Sequence, residues 1–269
     1  MNWICPNCRQ PLAPRDRSLV CPANHCFDQA KEGYVNLLPA HRKRSRDPGD
    51  NREMIDARRR VHQSKLYQPL ADRISRELGK QVRDEASLLD LGCGEGYYSG
   101  ELLRQLAGVR LHGVDISRPA IRLAARACPD GEFAVASSFD VPLADASVDV
   151  ALSVFAPTAE AELRRLVAPL GCFLRVTPGP LHLWELRQAL YARPRPHPAP
   201  TTRLAGFEDA DQQSLQFEMQ LQGQQLQDVI TMTPYAYGGR REHKQQLAGL
   251  QSMRLQADFV LSFHRRLPA

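Results

Sequence analysis

Residues 88–96 read Leu-Leu-Asp-Leu-Gly-Cys-Gly-Glu-Gly, an apolar strand that runs into three glycines on alternate positions. No other stretch of the chain restricts the fold as much. A strand that ends in a glycine turn and continues as an amphipathic helix is how a Rossmann-like sheet opens a nucleotide pocket. The spacing of Gly92, Gly94 and Gly96 is G-x-G-x-G, with Asp90 two residues ahead of the first. Dinucleotide pockets use G-x-G-x-x-G, where helix amides meet a pyrophosphate and no anion stands nearby. The tighter turn with an acid before it suits a ligand that carries positive charge and needs a close backbone.

Around this turn, short apolar strands alternate with amphipathic helices. Strands are expected at Ser87–Leu91, Leu111–Ile116, Glu132–Ala136, Val148–Val154 and Phe173–Thr177. Helices are expected at Tyr97–Leu106, from Ser117 as N-cap to Ala127, at Ala159–Val167, and at about Leu181–Tyr191. That alternation predicts a mostly parallel, doubly wound α/β sheet. The alternating segments Ser214–Leu221 and Met253–His264 predict an antiparallel pair at the sheet edge, making seven strands. Thr231-Met-Thr-Pro-Tyr-Ala-Tyr237 punctuates two helical stretches between them. In Arg193–Pro200 proline recurs at every second position, which predicts a stiff extended loop. Upstream, Arg52 to Leu78 has a helical pattern that includes Arg58-Arg59-Arg60 and Tyr67-Gln68-Pro69-Leu70. The expected division is residues 1–38 as a cysteine-rich module, 39–80 as a basic linker with a helical segment, and 81–269 as the α/β domain.

Four of the seven cysteines fall in the first 26 residues. The start, Met-Asn-Trp-Ile-Cys-Pro, has no basic n-region or apolar h-region, so the expected location is cytoplasmic. There, such crowding reads as metal binding before disulfides. Cys5-x2-Cys8, then Cys21, then either His25 or Cys26 can surround one tetrahedral Zn²⁺. A site closed by four protein ligands leaves no position for water, so the metal is structural. No run of about 18 apolar residues occurs, which excludes a membrane-spanning helix. Residues 1–65 hold 13 Lys/Arg against 7 Asp/Glu, while the remainder holds 22 against 23. A positive excess confined to the N-terminal quarter is the mark of a nucleic-acid reader rather than of a small-molecule enzyme. Arg42, Lys43, Arg44, Arg46, Arg58, Arg59 and Arg60 would supply the phosphate contacts; a solvated helix face is the plainer reading of such a run.

Asp115 ends the second strand, where a carboxylate can accept two hydrogen bonds from a ribose diol; alone it would read as a helix cap. After the third strand come Ser137 and Ser138, which can meet a purine, and Asp140, which reads equally as a solvated loop acid. Tyr67 precedes the sheet on a helix placed to cover the pocket mouth, where its ring can meet a cationic ligand. His182, after Thr177-Pro-Gly-Pro180, falls at the carboxyl end of the fifth strand.

The glycine turn with its acid resembles motif I of the S-adenosylmethionine (SAM) methyltransferases. Taken together, the segments closely resemble the bacterial large-subunit (23S) rRNA guanine-N1-methyltransferases. The resemblance rests on Cys5-Pro-x-Cys8 and Cys21-x3-His25, on Phe27-Asp28 and Ala30-Lys31-Glu32-Gly33-Tyr34-Val35-Asn36-Leu37-Leu38, and on Lys43-Arg44-Ser45-Arg46-Asp47-Pro48-Gly49-Asp50. It continues through Asp90–Tyr98, Thr177–Pro180 with His182, and Met232-Thr-Pro234, and so covers nearly the whole chain. It implies a Rossmann-like class I methyltransferase fold with a small N-terminal zinc-binding domain. It implies zinc ligands at Cys5, Cys8, Cys21 and His25, SAM contacts at Tyr67, Gly94, Glu95 and His182, and a homodimer. The implied substrate is a guanine in the hairpin-35 loop of 23S rRNA. Cys26, beside His25, is a departure that offers a competing thiol. No catalytic residue is assigned, because His182 and Glu95 each have a cofactor role. Two other readings share the sheet: a small-molecule (quinone-type) methyltransferase, and a catalytically silent rRNA-binding assembly factor.

Overall fold

A computed structural model describes residues 3–39, 50–233, 247 and 249–268. The chain begins with three short strands, β1 (Ala13–Arg15), β2 (Ser18–Val20) and β3 (Cys26–Asp28), which form an antiparallel sheet of their own. After β4 (Val35–Asn36) come α1 (Arg52–Gln63) and α2 (Gln68–Gly79). The doubly wound part contains β5 (Ser87–Leu91), α3 (Tyr97–Gln105), β6 (Arg110–Asp115), α4 (Arg118–Ala127), β7 (Glu132–Val135), β8 (Val148–Val154), α5 (Glu160–Leu166), β9 (Val167–Pro178) and α6 (Trp184–Leu190). Then β10 (Asp211–Gln222), α7 (Gln224–Thr231) and β11 (Ser252–Arg265) complete the described elements.

The large sheet has the order β10-β11-β9-β8-β5-β6-β7-β4. Strand β11 runs antiparallel to both neighbours, pairing twelve residues of β10 from Asp211↔Phe263 to Gln222↔Ser252. The remaining pairs are parallel. All seven expected strands are present in this mostly parallel sheet. Strand β5 lies at its centre and is buried at every position, as a parallel strand covered on both faces must be.

The sheet has an eighth strand that the pattern did not foretell. Two residues, Val35 and Asn36, pair in parallel with Ala134 and Val135. A strand so short carries no readable period. Through it the cysteine-rich segment joins the sheet. No helix links β7 to β8. Over that face lies the N-terminal segment, with Trp3 bridged to Leu143 and Ile4 N–H bonded to Pro142 O at 2.9 Å. Trp3, Leu12, Leu19 and Leu37 share one apolar core with Leu89, Leu91, Val114 and Ala134 of the sheet and Leu163 of α5. The opposite face packs α2, α3, α4 and α6, through Leu70, Ile74, Leu102, Ile121 and Leu186.

Three local expectations change. The pattern over Arg52–Leu78 is two helices: Lys65 has φ +61° and Pro69 sits in the first turn of α2, so the chain turns at 64–67. Ser117 holds the N-cap position of α4 but its hydroxyl makes no cap; its N–H bonds Asp115 Oδ1 at 2.8 Å. The helix expected from Leu181 starts at Trp184, because Asp258 takes the Leu181 N–H at 2.8 Å and Leu183 adopts φ +51°. No helix among the described residues is long and apolar enough to cross a membrane.

Candidate active site and metal centre

Cys5, Cys8, Cys21 and His25 bring their ligand atoms within 4.8 Å of one another. Cys8 and Cys21 sulfurs are 3.6 Å apart, and His25 Nδ1 lies 3.5 Å from Cys5 Sγ and 3.3 Å from Cys21 Sγ. Tetrahedral Zn–S bonds of ~2.3 Å put sulfurs about 3.8 Å apart, so the donor set and its spacing fit zinc. The β1–β2 hairpin separates Cys8 from Cys21, which is how ligands thirteen positions apart converge. Cys26 is exposed on β3 and outside this group, so His25 is the residue placed to give the fourth ligand atom.

The second site is a cavity of about 720 Å³ at the carboxyl ends of β5, β6, β8 and β9. Its floor is the glycine turn. Gly92 adopts φ +72°, and a Cβ there would lie 2.4 Å from that of Ala156. Gly94 adopts φ +56°, and a Cβ there would meet only Arg58 Nη1, at 3.9 Å. Its side-chain direction is therefore open to the cavity, which lets a ligand approach the backbone. Both Asp115 oxygens accept backbone bonds, Oδ2 from Gly94 N–H at 3.0 Å and Oδ1 from Ser117 N–H at 2.8 Å. Each keeps a lone pair for a diol. Burial pushes the Asp115 carboxyl up, against those two N–H bonds.

Glu95 is buried and bonded to His62 Nδ1. Burial pushes its carboxyl up, but the His62 bond and the Arg58 charge hold it below the usual carboxylate range. The His62 ring stacks on Tyr97 at 4.1 Å between centroids and meets Tyr67 and Tyr98 edge-on. On the far wall, His182 Nδ1 accepts the Asp258 backbone N–H at 3.3 Å. Burial, with His197 and Arg187 nearby, pushes the imidazole down to about 3. The ring is neutral, and Nε2–H is the donor it can offer a ligand.

Of the residues singled out from sequence, Tyr67, Gly92, Gly94, Glu95, Asp115 and His182 line this cavity, as do Ser137 and Ser138. Asp90 and Gly96 do not. Asp90 lies beneath the turn, where Oδ2 accepts Ser99 Oγ–H at 2.6 Å and burial pushes the carboxyl up to about 7. Gly96 starts α3, and a Cβ there would strike Ala124 of α4 at 2.9 Å. Asp140 pairs with Arg9 at 3.2 Å. The three arginines of α1 part company. Arg58 lines the cavity and pairs with Asp50 at 2.6 Å; Arg60 forks onto Asp228 of α7 at 2.7 and 2.9 Å; Arg59 is exposed. Arg42, Lys43, Arg44 and Arg46 lie outside the described residues.

Sequence reasoning passed over Asp50, Met54 and His62, which also line the cavity. With Arg58 they recur every four residues, Asp50 just ahead of α1 and the other three on one face of it, a stripe that the numbering alone displays. It also passed over Asp258, whose carboxylate holds Leu181 N–H while its own N–H fixes His182. Gly179 allows that approach: a Cβ there would lie 2.3 Å from Asp258 Oδ1. Phe155, at φ +57° and 43% exposed, points to the same mouth as the more exposed Phe139. A strained aromatic of this kind leaves no mark in composition.

A family profile described as "RlmA, N-terminal" matches residues 3–46, and one described as "Methyltransferase domain" matches residues 88–176. A Streptomyces fradiae protein named 23S rRNA (guanine(748)-N(1))-methyltransferase is 37% identical over 87% of this chain and 85% of its own. A Micromonospora griseorubida protein, given the same 23S rRNA guanine-N(1) activity in a provisional name, is 36% identical over 87% of this chain and 86% of its own.

Proposed function

From the premise that this chain belongs to the 23S rRNA guanine-N1-methyltransferase family, we propose that it methylates N1 of a guanine in the hairpin-35 loop of 23S rRNA. The chain is a SAM-dependent methyltransferase with a structural zinc site. One observation carries the reading of its substrate: the zinc-binding N-terminal segment shares a core with strands β5 and β6, whose carboxyl ends carry the acid-lined cavity.

When bound, SAM supplies the electrophilic methyl group. The glycine turn gives it a close backbone, Asp115 meets the ribose, and Tyr67, Glu95 and His182 complete its wall. Asp90 and Gly96 support the turn from behind. Phe139 and Phe155 offer apolar surface at the mouth, on which an extruded or looped base can stack. Base pairing hides guanine N1, so the target belongs in a loop. Arg42, Lys43, Arg44, Arg46 and Arg59 take the phosphates. Of the three α1 arginines, Arg60 is engaged within the fold, and the position of Arg58 favours another role. The division at residues 38 and 80, a cytoplasmic location and a homodimer belong to the same reading.

Nucleoside mass mapping of 23S rRNA, with and without the gene, tests it. The expected difference is one 1-methylguanosine in hairpin 35. A 23S rRNA with unchanged guanines would refute the substrate. Failure of the purified chain to bind S-adenosylhomocysteine in calorimetry would favour the silent assembly factor instead.

A further inference from the structure

We infer that Arg58 is the carboxylate clamp of the cofactor site rather than part of the RNA-binding patch; the inference rests on SAM being the ligand of the cavity. Three lining residues are acids, Asp50, Glu95 and Asp115, and Arg58 is the only lysine or arginine among the described lining residues. SAM brings a sulfonium and an ammonium, which acids suit, and one carboxylate, which acids repel. Among the described residues, that carboxylate has one lysine or arginine to meet.

The geometry agrees with the charge count. Arg58 is on the cavity-facing stripe of α1, and its guanidinium stands over Gly94, the point where the backbone is open to a ligand. It is pre-aimed, with Nη1 on Asp50 at 2.6 Å and Nη2 near Met232 O at 3.5 Å. Asp50 shows that a carboxylate fits there, and the planar fork has five N–H groups, enough for a second anion beside the first. The side chain is 28% exposed, more sheltered than the 49% of Arg60 on the same helix. An arginine that waits for a phosphate does not need that shelter. The helix that follows the basic connector thus reads the amino-acid end of the cofactor.

The test pairs a protein change with a ligand change. Wild type, Arg58→Lys and Arg58→Met are titrated by calorimetry with S-adenosylhomocysteine and with its decarboxylated counterpart. Wild type should prefer the carboxylated ligand by about 10- to 100-fold, the range of a charge-assisted bond. R58M should lose most of that preference while it binds the decarboxylated ligand within about threefold of wild type, which also shows that it is folded. R58K, with charge but no fork, should fall between. An R58M protein that keeps the preference, or weakens both ligands equally, overturns the assignment. So does a severalfold loss of 23S rRNA affinity in R58M, without cofactor, when ligand discrimination is intact. If wild type binds neither ligand, the reading of the cavity itself has failed.

Discussion

His182 has two tethers that fix what it can do. Its Nδ1 is spent on the Asp258 backbone, and burial holds the ring neutral, down to about 3. A histidine whose folded value lies below its unfolded ~6.5 binds fewer protons when folded. Stability therefore rises with pH through the window from about 3 to 6.5 and is lost on acidification. Replacing His182 by Gln should flatten this slope by at most about 1.4 kcal/mol per pH unit, read from urea midpoints between pH 4 and 7. Asp90 has the opposite sign. Its carboxyl, raised by burial to about 7, favours the protonated form in the folded chain, so its contribution declines from about pH 4 to 7. Asp90→Asn can still accept the Ser99 hydroxyl, and it should gain stability relative to wild type as pH rises over that window. The same urea series measures it. Glu95 differs from both because His62 compensates its burial. His62→Ala leaves a buried carboxylate without its partner and should cost about 1–3 kcal/mol of stability as well as SAM affinity.

At the scale of elements, α1 does three jobs on three faces. One stripe lines the cavity, Ile55 and Val61 enter the core, and Arg60 crosses to α7. Asp228, the acceptor of that crossing, has a side chain only 5% exposed. Arg60→Ala strands this carboxylate with Gln224 alone and should cost about 1–3 kcal/mol in chemical denaturation, whereas Arg59→Ala should stay within about 0.5 kcal/mol. The elements of the sheet were legible because a buried parallel strand is a short, largely apolar run with glycine or an acid at its end, as at Leu88–Gly92 and Leu111–Asp115. Three metal ligands were legible because spacing limits what can converge, but spacing left His25 and Cys26 both open for the fourth. The uses of the α1 arginines were not. Three consecutive arginines point in directions about 100° apart, so a run that reads as one patch becomes a cavity residue, an exposed side chain and an interhelical pair. Asp258 was illegible for another reason: it reaches His182 across 76 residues, through a strand pairing that local pattern does not encode.

Over the whole molecule, the zinc module and the SAM domain are one hydrophobic body. Chelation of the metal should therefore do more than loosen a hairpin. Trp3, 2% exposed and edge-on to His112 at 5.3 Å, should shift its emission to the red, and the single unfolding transition should fall by several degrees in a thermal scan. If the metal mattered only to a detached appendage, the transition of the sheet would stay where it was. RNA binding is a property of this scale too. Replacing Arg42, Lys43, Arg44 and Arg46 together by Ala should weaken rRNA binding while S-adenosylhomocysteine binding is unchanged. The slope of log affinity against log salt should fall by about 0.7 for each phosphate that the variant no longer neutralises.

Strand β4 has one more effect. By lying along β7 it hides a rim of amide and carbonyl groups that would otherwise be free to recruit a stranger's backbone. A shortened version that starts after Pro39 would bare that rim together with the apolar patch under Trp3 and Leu37. It should clump during purification, however complete its catalytic pocket.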